Sequence, residues 1–173
     1  MKKIFITGII AVTIMTVFSG CGGNKNASTN ASETEAGSNN NKKETAKVEA
    51  GESLTIPLKD ISEDVAFYPV EVDGTEMEVL AVKDSDGKIR TAFNTCQICY
   101  DSGKGYYKQE GDKLVCQNCG NSFTMDQVGE TSGGCNPWPI LKNDRTVTED
   151  ELQISYEFLK DSSDIFFTWK SQS

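Results

Sequence analysis

Residues 96–119 read CQICYDSGKGYYKQEGDKLVCQNC, and this stretch decides both the fold class and the chemistry of the chain. It holds two Cys-x-x-Cys pairs, Cys96 with Cys99 and Cys116 with Cys119, separated by sixteen residues. A two-residue gap lets both sulfurs of a tight turn face one ion, and two such pairs at this separation are typical of a four-thiolate metal site. The spacing therefore predicts that these four cysteines bind one metal centre.

The segment between the pairs predicts a hairpin that brings the two turns together. Residues 106–115 read YYKQEGDKLV, with the turn expected at Gly111. A fifth cysteine, Cys135, follows the second pair after fifteen residues. It is a candidate fifth ligand, a replacement ligand, a redox partner, or a small buried residue of a glycine-rich turn. The sequence leaves these four interpretations of Cys135 open.

Composition narrows the roles that the cysteines can have. The sequence has no histidine, which excludes a Ser-His-Asp triad, a Cys-His nucleophile pair and a two-Cys-two-His zinc finger. Disulfides are an alternative because exported proteins meet oxidising conditions, although five cysteines cannot pair completely. A thioredoxin-like dithiol would need a surrounding βαβ pattern, and none is evident. Spacing alone is typical of structural zinc.

Short runs of β-branched and aromatic residues, separated by Asp-Gly turns, surround the cysteines. No long helical period follows residue 50, although 148–152 is compatible with a short helical turn. We therefore expect a mainly β fold, a small antiparallel β domain that carries the metal site on its two Cys-x-x-Cys loops. The expected strands lie within 53–58, 65–72, 77–82, 89–93, 152–158 and 165–169.

The N-terminus predicts export and lipid anchoring. Residues 1–20 form a signal peptide, with Lys2 and Lys3 ahead of an apolar stretch too short for a comfortable bilayer span. The sequence Phe-Ser-Gly-Cys at its end is similar to a bacterial lipobox, so Cys21 is the expected lipidation site. An ordinary cleaved signal with an incidental cysteine is the alternative.

Composition divides the remainder into two parts. Residues 21–50 combine the lipidated cysteine with a Gly-, Asn-, Ser-, Thr- and Glu-rich tract, which predicts a disordered tether. Residues 51–173 form the cysteine-rich metal-binding β domain. The expected location is the cell membrane, with the domain lipid-anchored on its extracytoplasmic face.

Charge and motifs limit the function classes. A net charge of −9, from 17 Lys+Arg and 26 Asp+Glu, disfavours nucleic acid as a partner. No pair of carboxylates stands out as catalytic, and no glycine loop suits a phosphate. The chain is thus expected to be a redox or metal-binding carrier more than an independent enzyme.

Residues 116–123, which begin at the second cysteine pair, read CQNCGNSF. This stretch resembles a cluster-binding box of Rieske proteins, with Cys119 at the place of the family's histidine. Residues 133–139 read GGCNPWP and resemble the proline loop that covers a Rieske cluster. The first pair departs from this pattern, because Rieske boxes have Cys-x-His. The resemblance implies a Rieske-like β domain, beside the rubredoxin-like or zinc-ribbon-like folds that the spacing also allows.

A larger set of positions follows one pattern: Cys96, Cys99 and Tyr100, Gly105 and Tyr106, Val115 to Phe123, and Gly133 to Pro137. This pattern resembles that of the membrane iron–sulfur FtrD-like domain family, a closer resemblance that covers roughly residues 52–169. It implies an iron–sulfur or other metal centre on five cysteines and a role in iron handling or electron transfer at a membrane.

The type of export signal limits when the chain can acquire its cofactor. It lacks a twin arginine, so the chain is expected to cross the membrane unfolded and to acquire its metal afterwards. Mononuclear iron therefore competes with an iron–sulfur cluster. The first functional hypothesis is a lipoprotein that passes electrons or iron to a membrane redox or iron-transport protein. The alternatives are a structural zinc-binding protein-interaction domain and a thiol-based metal scavenger.

Overall fold

The computed structural model describes residues 43–130 and 133–171. The predicted signal peptide, residues 1–20, and the predicted lipidation site, Cys21, lie outside the described residues. The strands are β1 Ala46–Lys47, β2 Ser53–Pro57, β3 Ala66–Val72, β4 Thr75–Lys83, β5 Ile89–Cys96, β6 Tyr107–Glu110, β7 Lys113–Cys116, β8 Ser122–Thr124, β9 Pro137–Pro139, β10 Thr146–Val147 and β11 Glu151–Ser155. The α-helix α1 is Tyr156–Asp161, and 3-10 helices cover Leu58–Asp60, Tyr100–Ser102, Met125–Gln127, Lys142–Asp144 and Ser163–Phe166.

Three small sheets make the described domain mainly β, as the sequence predicts. The largest has the strand order β1-β3-β4-β5-β9, and the other two have the orders β10-β11-β2 and β6-β7-β8. Every pairing is antiparallel except that of β1 with β3. The expected strands at 53–58, 65–72, 77–82 and 89–93 are confirmed as β2, β3, β4 and β5, and the hairpin at 106–115 is confirmed as β6 and β7.

The central strand β4 is buried on both faces. Met77, Val79 and Ala81 belong to one hydrophobic core, whereas Leu80 and Val82 belong to a second. Successive side chains of a strand point to opposite faces, so a continuous apolar run is what a strand between two layers requires. The run from residue 77 to residue 82 thus has a structural cause beyond its β propensity.

The two hydrophobic cores lie between different secondary-structure elements. The first core lies between the large sheet, the β10-β11-β2 sheet and α1, with β-strand aliphatics such as Ile56, Val70 and Ile154 fully buried. The second core packs the β6-β7-β8 sheet against the other face of β4 and β5. Its buried members are Leu80, Val82, Ala92, Cys96, Cys99, Tyr107, Leu114, Cys116, Met125 and Val128. Three of the candidate metal ligands are therefore core residues.

The C-terminal segment corrects three expectations. Alternation at 152–158 predicts one strand, but β11 ends at Ser155, whose hydroxyl accepts a hydrogen bond from the Phe158 amide and caps α1. Residues 165–169 do not form the expected strand, and Ser163–Phe166 is a 3-10 helix. There the apolar side chains follow a helical face, and Phe158 and Phe166 both pack on Phe93, with ring centroids 5.8 and 5.6 Å away. The turn at 148–152 is also not helical, because Glu151 begins β11.

Packed structure begins before residue 51. Ala46 and Lys47 pair in parallel with Val70 and Glu71 of β3, and Val48 is buried in the first core. Both features lie within 21–50, the segment that composition assigns to the tether. Val48 is an isolated large apolar residue in a polar tract, and this pattern was too weak to predict the short edge strand from the sequence.

The turn between β4 and β5 is organised by one buried carboxylate. Asp84 is 2% exposed and accepts hydrogen bonds from the backbone amides of Asp86 and Lys88, at 3.0 and 2.8 Å. Its other oxygen accepts a hydrogen bond from Arg90 Nε at 2.7 Å. Burial opposes ionisation of Asp84, but these bonds outweigh it and hold the pKa of Asp84 below its usual value.

Replacing Asp84 with Asn should destabilise the domain at neutral pH, because the amide loses the charge that Arg90 faces. The folded-state pKa is the lower one, so the stabilisation is present above the ordinary aspartate pKa of about 4 and disappears as the pH falls through the folded-state value. Thermal unfolding of Asp84→Asn and of the parent chain should thus differ at pH 7 and converge in acid. Asp86→Asn is the matched control on the exposed side of the turn, and an equal loss in that variant would contradict this account.

Candidate metal centre

The first cysteine turn lies at the end of β5. Cys96 is the last residue of the strand, and Cys99 directly precedes the 3-10 helix at Tyr100–Ser102. Both side chains are buried, and the Cys99 amide donates a hydrogen bond to Cys96 Sγ at 3.4 Å. The Cys96 amide donates to the Gly105 carbonyl at 2.6 Å. The strand end and the chain that returns from this turn are thereby fixed side by side.

The second cysteine turn lies at the end of β7. Cys116 pairs with Tyr107 across the β6–β7 hairpin and is fully buried, whereas Cys119 is exposed in the turn that follows. The Gly120 amide closes this turn by donating to the Cys116 carbonyl at 2.9 Å. The backbone amides of Asn118 and Cys119 donate to the Cys116 sulfur. Amides that point at a sulfur are the normal surroundings of a metal-bound thiolate.

The proline loop, defined here as residues 133–139, brings in Cys135. Gln97, inside the first turn, anchors it: the Gln97 side chain accepts from the Gly133 amide at 2.7 Å and donates to the Pro137 carbonyl at 3.3 Å. The Tyr107 hydroxyl donates to the Cys135 carbonyl. Cys135 is therefore held against both cysteine turns.

The five sulfurs converge on one site. Those of Cys96, Cys99 and Cys135 all lie within 4.8 Å of one another, and so do those of Cys99, Cys116 and Cys119. Cys99 belongs to both groups and joins them. All five are free cysteines in the structure, so no disulfide links any pair of them.

Protons are shared unequally between the sulfurs. A hydrogen bond from the Cys116 thiol, with further bonds from Tyr107 and two backbone amides, lowers the pKa of Cys96 to about 4 against the effect of burial. The same Cys96–Cys116 bond, together with burial, raises the pKa of Cys116 well above its usual value. The Cys96–Cys116 hydrogen bond thus favours the thiolate form of Cys96 and the thiol form of Cys116.

A second such pair lies nearer the surface. Burial opposes ionisation of Cys119, but bonds from the Asn121 amide, Cys116, Cys135 and Cys99 outweigh it and lower its pKa. The bond to Cys119, with burial, raises the pKa of Cys135 to about 12. Burial also raises the pKa of Cys99. A metal cation would replace the protons that these sulfurs share, since thiolates bind metals in deprotonated form.

Tyr107 is a site residue that sequence reasoning missed. It is 1% exposed, the single proton of its hydroxyl is shared between the Cys135 carbonyl oxygen and the Cys96 sulfur, and burial raises the pKa of Tyr107. Asn94 fixes its backbone by accepting from the Tyr107 amide at 2.7 Å, and the buried Asn94 donates in turn to Glu78 at 2.5 Å. The only signal in the sequence was its place in the hairpin, directly opposite Cys116.

The donor set fits a thiophilic metal. The groups of potential ligands found among the described residues contain cysteine alone, without carboxylates, and cysteine thiolates select zinc, iron and iron–sulfur clusters over hard cations. Beside the site, Tyr100 and Trp138 form an edge-to-face ring pair with centroids 6.0 Å apart.

Comparison with protein families finds a match over most of the chain. The model of the family described as "Membrane iron-sulfur containing protein FtrD-like" matches residues 58–166, which is more than half of the chain and includes all five cysteines. No curated protein and no solved structure matches the chain. Within the described ranges, no helix is long and apolar enough to span a membrane.

Gly105 is a position where the site tolerates no side chain. A Cβ there would lie 2.5 Å from the carbonyl carbon of Cys99 and 2.9 Å from the Tyr100 nitrogen, and would overlap the Cys99 carbonyl oxygen. These atoms are backbone of the first cysteine turn, so the turn itself would have to move.

Gly105→Ala should therefore lower both metal content and stability, by about 1–3 kcal/mol for the overpacking alone. Metal per chain and chemical unfolding measure the two effects. Gly111→Asn is the control, because Gly111 has a positive φ that Asn tolerates and nothing within 4 Å of its Cβ position. Full metal content and unchanged stability in Gly105→Ala would show that the turn does not need this close approach.

Proposed function

Because this chain belongs to the FtrD-like family of membrane iron–sulfur containing proteins, we propose that it holds a redox-active iron centre and passes electrons or iron to a membrane partner. The observation that carries the proposal is the convergence of five cysteine sulfurs from three separate segments on one site. Without histidine or carboxylate donors at that site, iron or an iron–sulfur cluster bound by thiolates is the cofactor that agrees best with the family.

Cys96, Cys99, Cys116 and Cys119 are the proposed ligands, with Cys135 beside them as a fifth or replacement ligand. Bound iron supplies a one-electron change between its ferrous and ferric forms. The residues around it set the conditions for that change. Backbone amides and the Tyr107 hydroxyl donate to the sulfurs, and such bonds favour the more negative, reduced state of a thiolate site.

Burial differs across the site in a way that suits electron exchange with a partner. Cys96 and Cys116 are fully buried in the second core, whereas Cys119 is exposed and Ile98, within the first turn, is 61% exposed. Electrons would enter and leave on the side of these two exposed residues. The opposite side of the site is closed by β5 and the β6–β7 hairpin.

We also propose a location for the domain. A signal peptide at 1–20, lipidation at Cys21 and a tether reaching toward residue 50 would hold the domain at the extracytoplasmic face of the cell membrane. This arrangement rests on the lipobox-like sequence and on the family's description as membrane proteins. The proposed partner is a membrane redox or iron-transport protein, and catalysis by the chain alone is not required.

A structural zinc site is the second candidate. The observation that favours it is that three of the cysteines are members of the second core, where a closed four-thiolate zinc site would tie the β6-β7-β8 sheet to β5. Zinc is redox-inactive, so the two candidates differ in a measurable property.

Reductive titration of the iron-loaded full chain should show a reversible one-electron change. Tyr107→Phe should lower the midpoint potential by an amount on the order of tens of millivolts, because it removes a hydrogen bond that favours the reduced site. Measuring the midpoint potential separates this positioning role of Tyr107 from a loss of packing. A loss of packing would change the stability of the domain and leave the midpoint potential unchanged.

Tyr106→Phe is the matched control, since Tyr106 lies next in the chain and contacts lysine side chains through its ring face. Its potential should equal that of the parent. Absence of any reversible redox change in protein that contains iron would contradict electron transfer as the function, and equal potentials in both variants would contradict the role of Tyr107.

A further inference from the structure

A second polar site lies at the other end of β5, away from the cysteines. It is a cavity of about 240 Å³ between the start of β5, the segment at 128–130 and the segment around the 3-10 helix Lys142–Asp144. Four of its lining residues are cationic: Lys88, Arg90, Lys142 and Arg145. Glu130 is the one acidic residue of the lining. Such a concentration of positive charge is unexpected in a chain with a net charge of −9.

Arg145 is the residue that makes this cavity a candidate site. Its Nη1 donates to the Thr91 hydroxyl and its Nη2 donates to the Ile89 carbonyl at 2.7 Å. Its Nε is buried and has no hydrogen-bond partner, and no carboxylate pairs with Arg145 within the described part of the chain. Arg145 as a whole is half-buried, and a partly buried cation without a counter-charge is costly, so its retention points to an anion that completes the site.

The other cationic residues of the cavity differ in whether an acidic side chain already pairs with their charge. Arg90 pairs with Asp84 and Glu130, and Lys88 pairs with Asp86. Lys142 is exposed at the rim and forms no ion pair with any residue that the structure describes. Burial and the nearby Arg90 both lower the pKa of Arg145, which is the effect of positive charge that nothing local offsets. Arg145 and Lys142 are thus the two cations available to a ligand.

The size and lining indicate the class of anion. A cavity of about 240 Å³ has more room than a single tetrahedral oxyanion fills. Ile89, which is half-buried, supplies an apolar part of the lining, suited to a carbon skeleton. Arginine binds carboxylates with two parallel N–H donors, and a second cation at the rim can hold another carboxylate.

We propose that this cavity binds a small organic acid with two or three carboxylates, one held by Arg145 and another by Lys142. Thr91 fixes the Arg145 guanidinium for this role, since the Thr91 hydroxyl also donates to the Ile140 carbonyl at 2.8 Å and so cannot turn away. The inference is independent of the metal centre and of the proposed function.

Titration calorimetry of the metal-loaded full chain with tricarballylate tests the proposal at constant ionic strength. Tricarballylate is a tricarboxylate without the hydroxyl that strengthens metal chelation, and an unchanged visible spectrum and metal content confirm that it leaves the metal alone. One molecule should bind per chain, and phosphate should bind about tenfold more weakly or not at all. Binding of phosphate as tight as that of tricarballylate would overturn the assigned ligand class.

Three variants test whether tricarballylate binds in this cavity. Arg145→Gln should weaken binding by about tenfold or more, the effect of losing a charged hydrogen-bonding partner. Lys142→Gln, at the exposed rim, should weaken it by about two- to fivefold. Lys59→Gln removes the same charge from an exposed residue outside the cavity and should leave the affinity unchanged.

If circular dichroism shows that Arg145→Gln does not fold, the proposal is tested by comparing the affinities of Lys142→Gln and Lys59→Gln for tricarballylate. A larger loss in Lys142→Gln supports the site. Equal losses in the two lysine variants, or no heat of binding with the parent chain, would overturn the proposal.

Discussion

The burial of cysteine side chains in the second core is the constraint on which the rest of this domain depends. Three thiols and the Tyr107 hydroxyl meet where the β6-β7-β8 sheet packs on β5. Sulfurs this close either share a proton, as the opposite pKa shifts of Cys96 and Cys116 indicate, or share a cation. A small sheet with few apolar side chains of its own gains much of its attachment from this site. Fold and cofactor are therefore linked, and what disturbs the metal site disturbs a core.

The strand β5 connects the chemistry of the domain to its stability. It begins beside the Asp84 turn, contributes Thr91 to the cationic cavity, places Phe93 in the first core and ends at Cys96. At about 3.3 Å per residue, Thr91 and Cys96 are roughly 17 Å apart along the strand. One rigid element thus positions two separate polar sites, each of which is more precise than a loop alone would allow.

The sequence predicted the strands best where local patterns were strong. The run at 77–82 and the hairpin around Gly111 were evident because β-branched residues, apolar alternation and Asp-Gly or Gly-Asp turns all indicate the same structure. The segment after Ser155 was predicted wrongly, because alternation of Tyr156 and Phe158 resembles a strand until the serine cap is recognised. The contacts of Gln97, Tyr107 and Arg145 could not be predicted, since each depends on residues distant in the chain.

The most direct test of the central claim is the composition of the metal centre. Iron, zinc and acid-labile sulfide would be measured per chain on the full protein purified without oxygen, beside its visible spectrum. We expect iron with visible absorption that Cys116→Ser abolishes, and acid-labile sulfide in amounts similar to iron if the centre is a cluster. One zinc per chain, with no iron and no colour, would contradict it and leave a structural metal domain.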